Sequence, residues 1–145
     1  MTMFCHPETA LRAVLRLNAG SSLLIGVAMA AAAEPLAGLC LNGPGRYLGF
    51  DASAWIRLVG LALLPFAGMV FWVSARPVDR PALVRAVCGL DWAWVLGSAV
   101  LLALAWSAFT WTGAILVDLM ALAVAAFAVL QARCLGAALS GPAAA

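Results

Sequence analysis

Five side chains with a charge or an amide lie in or beside otherwise apolar stretches of this 145-residue chain: Asn18, Arg57, Asp91, Asp118 and Gln131. Such groups are costly to place in a low-dielectric environment, so each needs a hydrogen-bond or ion-pair partner. Their chemistry suits three tasks: joining helices, recognising a polar solute, or relaying protons. The task depends on the elements that hold them.

Those elements are four apolar stretches, at about residues 17–33, 58–75, 92–108 and 112–132. Hydrophobic residues make up 66% of the chain and charged residues 10%, which no soluble domain of this length could bury around one core. Each stretch approaches the ~20 residues that span a bilayer as a helix. Lipid also admits closed barrels, but these stretches lack the period-two alternation of barrel strands.

We therefore predict an all-α fold, an integral membrane, left-handed antiparallel four-helix bundle with a single domain over residues 1–145. The predicted spans are residues 12–34, 52–75, 83–108 and 112–133. An outer interfacial loop (35–51) joins the first two spans, and a cytoplasmic linker (76–82) joins the second and third. Residues 12–33 also have the form of a signal peptide, but we interpret them as a first helix that Pro35 ends.

The arginines predict the orientation of the spans. The eight cationic side chains are all arginine. With a cytoplasmic N-terminus, Arg46 and Arg57 lie outside, and the other six lie inside: Arg12, Arg16, Arg76, Arg80, Arg85 and Arg133. This asymmetry predicts that both termini are cytoplasmic. The tryptophans agree, because all six fall near the predicted ends of spans, as aromatic belts do.

A short motif recurs in the two halves of the chain. Residues 12–18 read Arg-Ala-Val-x-x-Leu-Asn and residues 85–91 read Arg-Ala-Val-x-x-Leu-Asp. A weaker match pairs Leu-Val-Gly-Leu at 58–61 with Leu-Val-Asp-Leu at 116–119. We interpret the halves as two hairpins that are parallel repeats about an axis along the membrane normal. Coincidence in an Ala-, Val- and Leu-rich chain is the alternative.

Two groups of polar residues are the candidate sites. Arg57 and Asp118 lie at comparable depth near the outer ends of their spans, each on a face with small residues, so we infer that both point inward and contact each other. On the inner side a second group has Asn18 with Ser21 and Ser22 in the first helix, Asp91 with Ser98 in the third, and Gln131 near the end of the fourth. Asp91 could pair there with an arginine: Arg16, Arg85 or Arg133. Both groups are compatible with a transport path and with ordinary interhelical hydrogen bonds.

The residues needed for several kinds of catalysis are missing from the sequence. The only histidine is His6, which excludes haem held by two histidines within the bundle. Cys5, Cys40, Cys88 and Cys134 form no CxxC pair and no zinc-site spacing, so we interpret them as small apolar residues. The alternative is a soft-metal site formed by Cys5 and His6 with Cys88 and Cys134. No nucleophile, P-loop or zinc-protease motif occurs. We predict no catalytic residues, no metal and no cofactor.

The chain resembles a family of small, uncharacterised bacterial inner-membrane proteins with four helices. The resemblance lies in Leu-Arg-Leu-Asn at 15–18 with Gly26, Leu-Val-Gly at 58–60, Asp-Trp-Ala-Trp-Val-Leu-Gly-Ser at 91–98, and Phe-Ala-Val-Leu-Gln at 127–131. It covers about four-fifths of the chain and implies no activity.

The sequence thus favours a non-enzymatic accessory, assembly or interaction subunit in a bacterial-type inner (cytoplasmic) membrane. Its expected partners are the lipid bilayer and either a larger membrane protein or a second copy; the net charge of +2 indicates no nucleic acid. The alternative is a small oligomeric transporter or channel that uses Arg57 and Asp118. A membrane enzyme or lipid-binding module with the outer loop as a lid comes third.

Overall fold

The computed structural model describes residues 6–43, 46–47 and 49–140, and helices dominate it. The elements are α1 (Pro7–Ala31), α2 (Ala33–Cys40), strands β1 (Arg46–Tyr47) and β2 (Phe50–Asp51), α3 (Ala52–Ser74), α4 (Pro81–Ala105), a 3-10 turn (Trp106–Ala108) and α5 (Trp111–Ser140). Four of the helices, α1, α3, α4 and α5, are long and apolar enough to cross a membrane. The predicted all-α fold is confirmed, and the chain has the segments of a multi-pass membrane protein.

A buried apolar cluster joins the four long helices at one end. It contains Leu11, Leu15 and Ala19 of α1, Val70 and Val73 of α3, Val84 and Val87 of α4, and Leu135 of α5. We call this the arginine end, because four arginines lie in or beside the same turns: Arg16, Arg76, Arg85 and Arg133. Elsewhere many large apolar side chains are exposed, Leu104 by 84%. Such exposure is expected of helices whose outer solvent is lipid.

Glycines bring the backbones of α1 and α3 together. A Cβ atom on Gly60 would lie 2.7 Å from the backbone oxygen of Gly26 and 2.7 Å from the backbone nitrogen of Ala30. A Cβ on Gly26 would lie 2.9 Å from the backbone oxygen of Gly60. Small residues at such a crossing let two helices approach closely and gain dispersion contacts. α1 and α3 form the most extensive helix contact in the structure.

The remaining contacts distribute unequally. α4 packs mainly on α5, and α1 also contacts α5, whereas α3 and α4 touch in only a few places although a short linker joins them. At that linker the guanidinium carbon of Arg80 lies 3.7 Å from the centre of a Trp72 ring, a cation–π contact. α4 therefore packs far more extensively on α5, the helix that follows it in the sequence, than on α3, the helix that precedes it.

The predicted outer loop contains a helix that the sequence analysis did not anticipate. Pro35 was expected to end the first span; α1 instead ends at Ala31, and Pro35 lies in the first turn of α2. A proline is tolerated there because the first amides of a helix have no intrahelical acceptor to lose. Beyond α2, β1 and β2 pair antiparallel, with Arg46 opposite Asp51 and their side chains 3.3 Å apart. Asp51 precedes α3 but makes no capping hydrogen bond.

The segment after α2 is hydrogen-bonded to the turn before α5. The Asn42 side-chain amide donates to the backbone oxygens of Phe109 at 2.7 Å and Ser107 at 3.2 Å. The Thr110 hydroxyl donates to the Leu39 oxygen at 2.7 Å and accepts from the Gly113 amide at 3.0 Å. These bonds close what we call the loop end of the bundle, formed by residues 33–43 and 106–113.

We expect Gly60→Ala to lower the free energy of unfolding by about 1–3 kcal/mol, since its methyl group meets backbone atoms that cannot rotate away. The matched control is Gly68→Ala in the same helix, where a Cβ meets nothing within 4 Å and the change favours helix by up to about 1 kcal/mol. Thermal unfolding in detergent micelles, followed by circular dichroism, measures both. Equal midpoints for the two variants would contradict the close crossing.

A second substitution tests the loop end. A Cβ on Gly113 would collide with the backbone oxygen of Cys40, so Gly113→Ala should push α2 away from α5. Hydrogen exchange of the α2 amides should then accelerate, while exchange in α4 stays unchanged. Gly136→Ala, also in α5 but with open space around its Cβ, serves as the control. Unaltered exchange in α2 after Gly113→Ala would show that α2 is not held by this contact.

Candidate functional site

Three polar side chains from three helices meet in the interior. Asn18 of α1 donates from Nδ2 to Oδ2 of Asp91 in α4 over 2.9 Å, and Gln131 of α5 donates from Nε2 to the same oxygen over 3.2 Å. Their exposed fractions are 1% for Asn18, 2% for Asp91 and 0% for Gln131. We call Asn18, Asp91 and Gln131 the amide–carboxyl cluster. The three inner candidates predicted from sequence are thus brought together.

Two further side chains extend this cluster. The Ser22 hydroxyl donates to Oδ1 of Asn18 at 3.4 Å, and the Cys88 thiol donates to Oε1 of Gln131 at 3.5 Å. Each amide group therefore donates to Asp91 and accepts a hydrogen bond from a second side chain. Reciprocal bonding of this kind orients both amides, because oxygen and nitrogen cannot exchange places without losing two bonds.

The partners of Asp91 differ from those expected. Arg16, Arg85 and Arg133 are all exposed, and within the described residues Asp91 forms no ion pair. Arginine side chains near the end of a span extend toward the lipid headgroups, where water solvates the guanidinium, so the neutral amides of Asn18 and Gln131 remain to satisfy the buried carboxyl. Pairing of Asp91 with an arginine was wrong.

The helix that carries Asp91 also buries an indole ring nitrogen. Trp94, one turn beyond Asp91 on α4, was expected to belong to an interfacial belt. Its ring nitrogen is instead buried and has no hydrogen-bond partner among the described residues. Ser98, two turns beyond Asp91, is also buried. The i, i+3, i+7 spacing of 91, 94 and 98 was the signal in the sequence that could have placed Trp94 inward.

The outer candidates, Arg57 and Asp118, do not form the predicted pair. The closest carboxylate to Arg57 is that of Glu34, 4.0 Å away, and both side chains are largely exposed. Glu34 lies in α2, a helix that was absent from the predicted topology, and it reaches Arg57 because α2 packs on α3. A charge pair this exposed contributes little stability.

Asp118 is exposed on the outside of α5. The buried positions of this helix are Gly113, Ala114, Ala128, Gln131 and Leu135. At 3.6 residues per turn, Asp118 lies roughly 100° from the middle of that face. Sharing a stripe with alanines suggested an inward orientation, but the stripe drifts around the helix and only part of it is buried. The inward orientation predicted for Asp118 was wrong.

The described cysteines form no disulfide bond. Cys40, Cys88 and Cys134 are free thiols, and Cys5 lies outside the described residues. Cys40 lies in α2, outside the spanning helices, where burial raises the pKa of its thiol and so reduces its thiolate fraction at neutral pH. Within the described part of the chain, no group of three or more His, Cys, Asp or Glu residues could hold a metal ion.

Comparison of the chain with protein-family models, with curated proteins and with solved structures finds no match. Its function must therefore be argued from its own geometry.

We expect Asp91→Leu to lower the free energy of unfolding by about 2–5 kcal/mol, because it leaves the amide donors of Asn18 and Gln131 buried without an acceptor. Asp91→Asn keeps one acceptor oxygen and should lower the free energy of unfolding by less than half as much. Asp118→Leu, an equal change at an exposed position, is the control and should be within about 0.5 kcal/mol of the unaltered protein. Unfolding in micelles measures all three, and an undiminished stability of Asp91→Leu would disprove the structural role of the cluster.

Proposed function

We propose that this chain is a non-enzymatic accessory or assembly subunit that binds another protein within a bacterial-type inner membrane. The observation that carries the proposal is the exposed carboxyl of Asp118 on a helix long and apolar enough to span the bilayer. In the proposed arrangement the four long helices form a left-handed antiparallel bundle with both termini in the cytoplasm. The concentration of arginines at one end supports this orientation.

The depth of Asp118 explains why its exposure matters. It lies seven residues after Trp111, where α5 begins, which corresponds to about 10 Å along the helix. An acidic residue facing hydrocarbon is unfavourable, by up to about 3 kcal/mol at the bilayer centre. No cation of the described residues pairs with it. A partner helix that brings a cationic or hydrogen-bonding group would remove that penalty.

The outward face of α4 supports the same proposal independently. Gly89, Ala93 and Gly97, spaced by four residues, are all exposed, and a Cβ added at either glycine meets nothing within 4 Å. This is the small-xxx-small spacing that favours close helix packing in membranes. The chain already packs helices in this way at Gly26 and Gly60. A second helix could approach α4 equally closely.

The proposal also includes the parallel repeat that relates the two halves of the chain. Asn18 and Asp91 occupy corresponding places in the recurring motif, and they contact each other, as symmetry-related residues on an axis would. The α1–α3 and α4–α5 pairings also correspond. In contrast, α1–α5 contacts are far more extensive than α4–α3 contacts, and the Gly26–Gly60 crossing has no counterpart in the second half. An ancestral repeat that has diverged accounts for both observations.

A transporter is the second candidate, favoured by the buried carboxyl of Asp91, which no arginine neutralises. Such a protein needs a hydrated path to its polar residues. Two surface grooves of the described structure, one beside Cys88 and one beside Glu34, are lined by neither Asp91 nor Asp118. The subunit proposal needs no such path. The third candidate is a membrane enzyme or lipid-binding module with the outer loop as a lid. Opening such a lid would break the hydrogen bonds at the loop end.

Native mass spectrometry of the tagged chain, extracted gently from its own membrane at natural abundance, tests the proposal. We expect one stoichiometric protein partner, and we expect Asp118→Leu to reduce its occupancy at least fivefold while the chain itself stays folded. Asp79→Leu, an exposed carboxylate in the linker at the arginine end, is the control and should retain the partner.

A second variant covers the α4 face. Ala93→Phe places a bulky ring on the small-residue stripe, away from the core, and should reduce partner occupancy if that face is the contact. A chain that carries no protein partner, or a partner that both Asp118→Leu and Ala93→Phe leave in place, would refute the proposal. Assembly with a second copy would be seen as a dimer mass.

A further inference from the structure

A groove of about 250 Å³ lies on the surface between α4 and α5 at the arginine end. Its lining consists of Arg85 and Cys88 of α4 with Ala132, Leu135, Gly136 and Leu139 of α5. Apolar groups form most of the wall, and Arg85 supplies the only ionised group among the lining residues. An open apolar groove between two spanning helices faces lipid acyl chains rather than water.

The charge at this groove is not compensated by the protein. Among the described residues, Arg85 forms no ion pair, and neither does Arg133 of α5. Arg16 and Arg76 at the same end are also exposed and unpaired within that part of the chain. Basic groups beside a groove between spanning helices attract anionic lipid headgroups. An arginine can bind the phosphate of such a headgroup with two parallel hydrogen bonds.

We propose that this groove is a binding site for one anionic phospholipid. The phosphate binds the guanidinium of Arg85 beside Gly136 and Leu139, and one acyl chain extends from there toward the middle of the helices past Ala132 and Cys88. The absence of a side chain at Gly136 opens the middle of the groove, since a Cβ there meets nothing within 4 Å. The proposal is independent of the subunit function, because it concerns a different class of ligand.

The site also adjoins the amide–carboxyl cluster. Cys88 lines the groove and donates from its thiol to Oε1 of Gln131, whose amide donates to Asp91. A lipid in the groove covers Cys88 and excludes water from this hydrogen-bonded chain. Binding is therefore accompanied by protection of the Cys88 thiol, which provides a readout distinct from lipid affinity.

Titration of the purified chain in detergent with phosphatidylglycerol or phosphatidylcholine of identical acyl chains, followed by native mass spectrometry, tests the proposal. We expect one phosphatidylglycerol molecule to bind more tightly than the others and more tightly than phosphatidylcholine. Arg85→Gln should weaken this binding roughly five- to tenfold. Gly136→Leu, which fills the groove, should abolish the tight event. Arg76→Gln and Gly20→Leu are the matched controls, both at exposed positions away from the groove, and should bind normally.

Alkylation of Cys88 by N-ethylmaleimide, located by peptide mapping, provides the second measurement. Phosphatidylglycerol should slow alkylation of Cys88 at least threefold and leave Cys40 unaffected. Equal affinity for the two lipids, or equal weakening by Arg85→Gln and Arg76→Gln, would show only diffuse attraction and overturn the proposal. A dimer that forms without lipid and protects Cys88 would assign the groove to a second copy instead, and would overturn it too.

Discussion

The hydrogen bonds to Asp91 join three of the four long helices at one atom. Within a bilayer, lipid tails surround apolar side chains as well as protein does, so hydrophobic burial contributes little to helix association. Packing of small residues and interhelical hydrogen bonds must hold the helices together. The Gly26–Gly60 crossing does this for α1 and α3. Asn18 and Gln131, by sharing Oδ2 of Asp91, relate α4 to α1 and α5, which matters because α4 contacts α3 so little.

The chain uses two aspartates in opposite ways. Asp91 is buried and hydrogen-bonded to two amides of the same chain. Asp118, on a helix of similar hydropathy, faces outward with no cation of the described residues beside it. The difference follows from the position of each residue relative to the buried face of its helix. For this reason the inner group is interpreted as structural and the outer carboxyl as a contact for a partner.

Sequence reasoning anticipated much of this structure where the signal was periodic. The four spans were predicted within a few residues, except that α1 begins earlier and α5 continues to Ser140. The meeting of Asn18, Asp91 and Gln131 followed from their common depth. The partners of the Asp91 carboxyl could not be predicted. The choice between an arginine and an amide depends on whether a flexible arginine side chain extends into the interior or into solvent. α2 was missed because Pro35 marks a helix start as well as a helix end, and the partner of Arg57 was missed with it.

The sparse contact between α3 and α4 has a mechanical consequence. α1 packs mainly on α3, and α4 packs mainly on α5, so the principal connection between the two pairs is the α1–α5 contact. Two rigid bodies joined along one line rotate about that line more readily than they slide or separate. We therefore expect the easiest motion of this molecule to be a scissor-like opening between α3 and α4, with α1 and α5 as its axis.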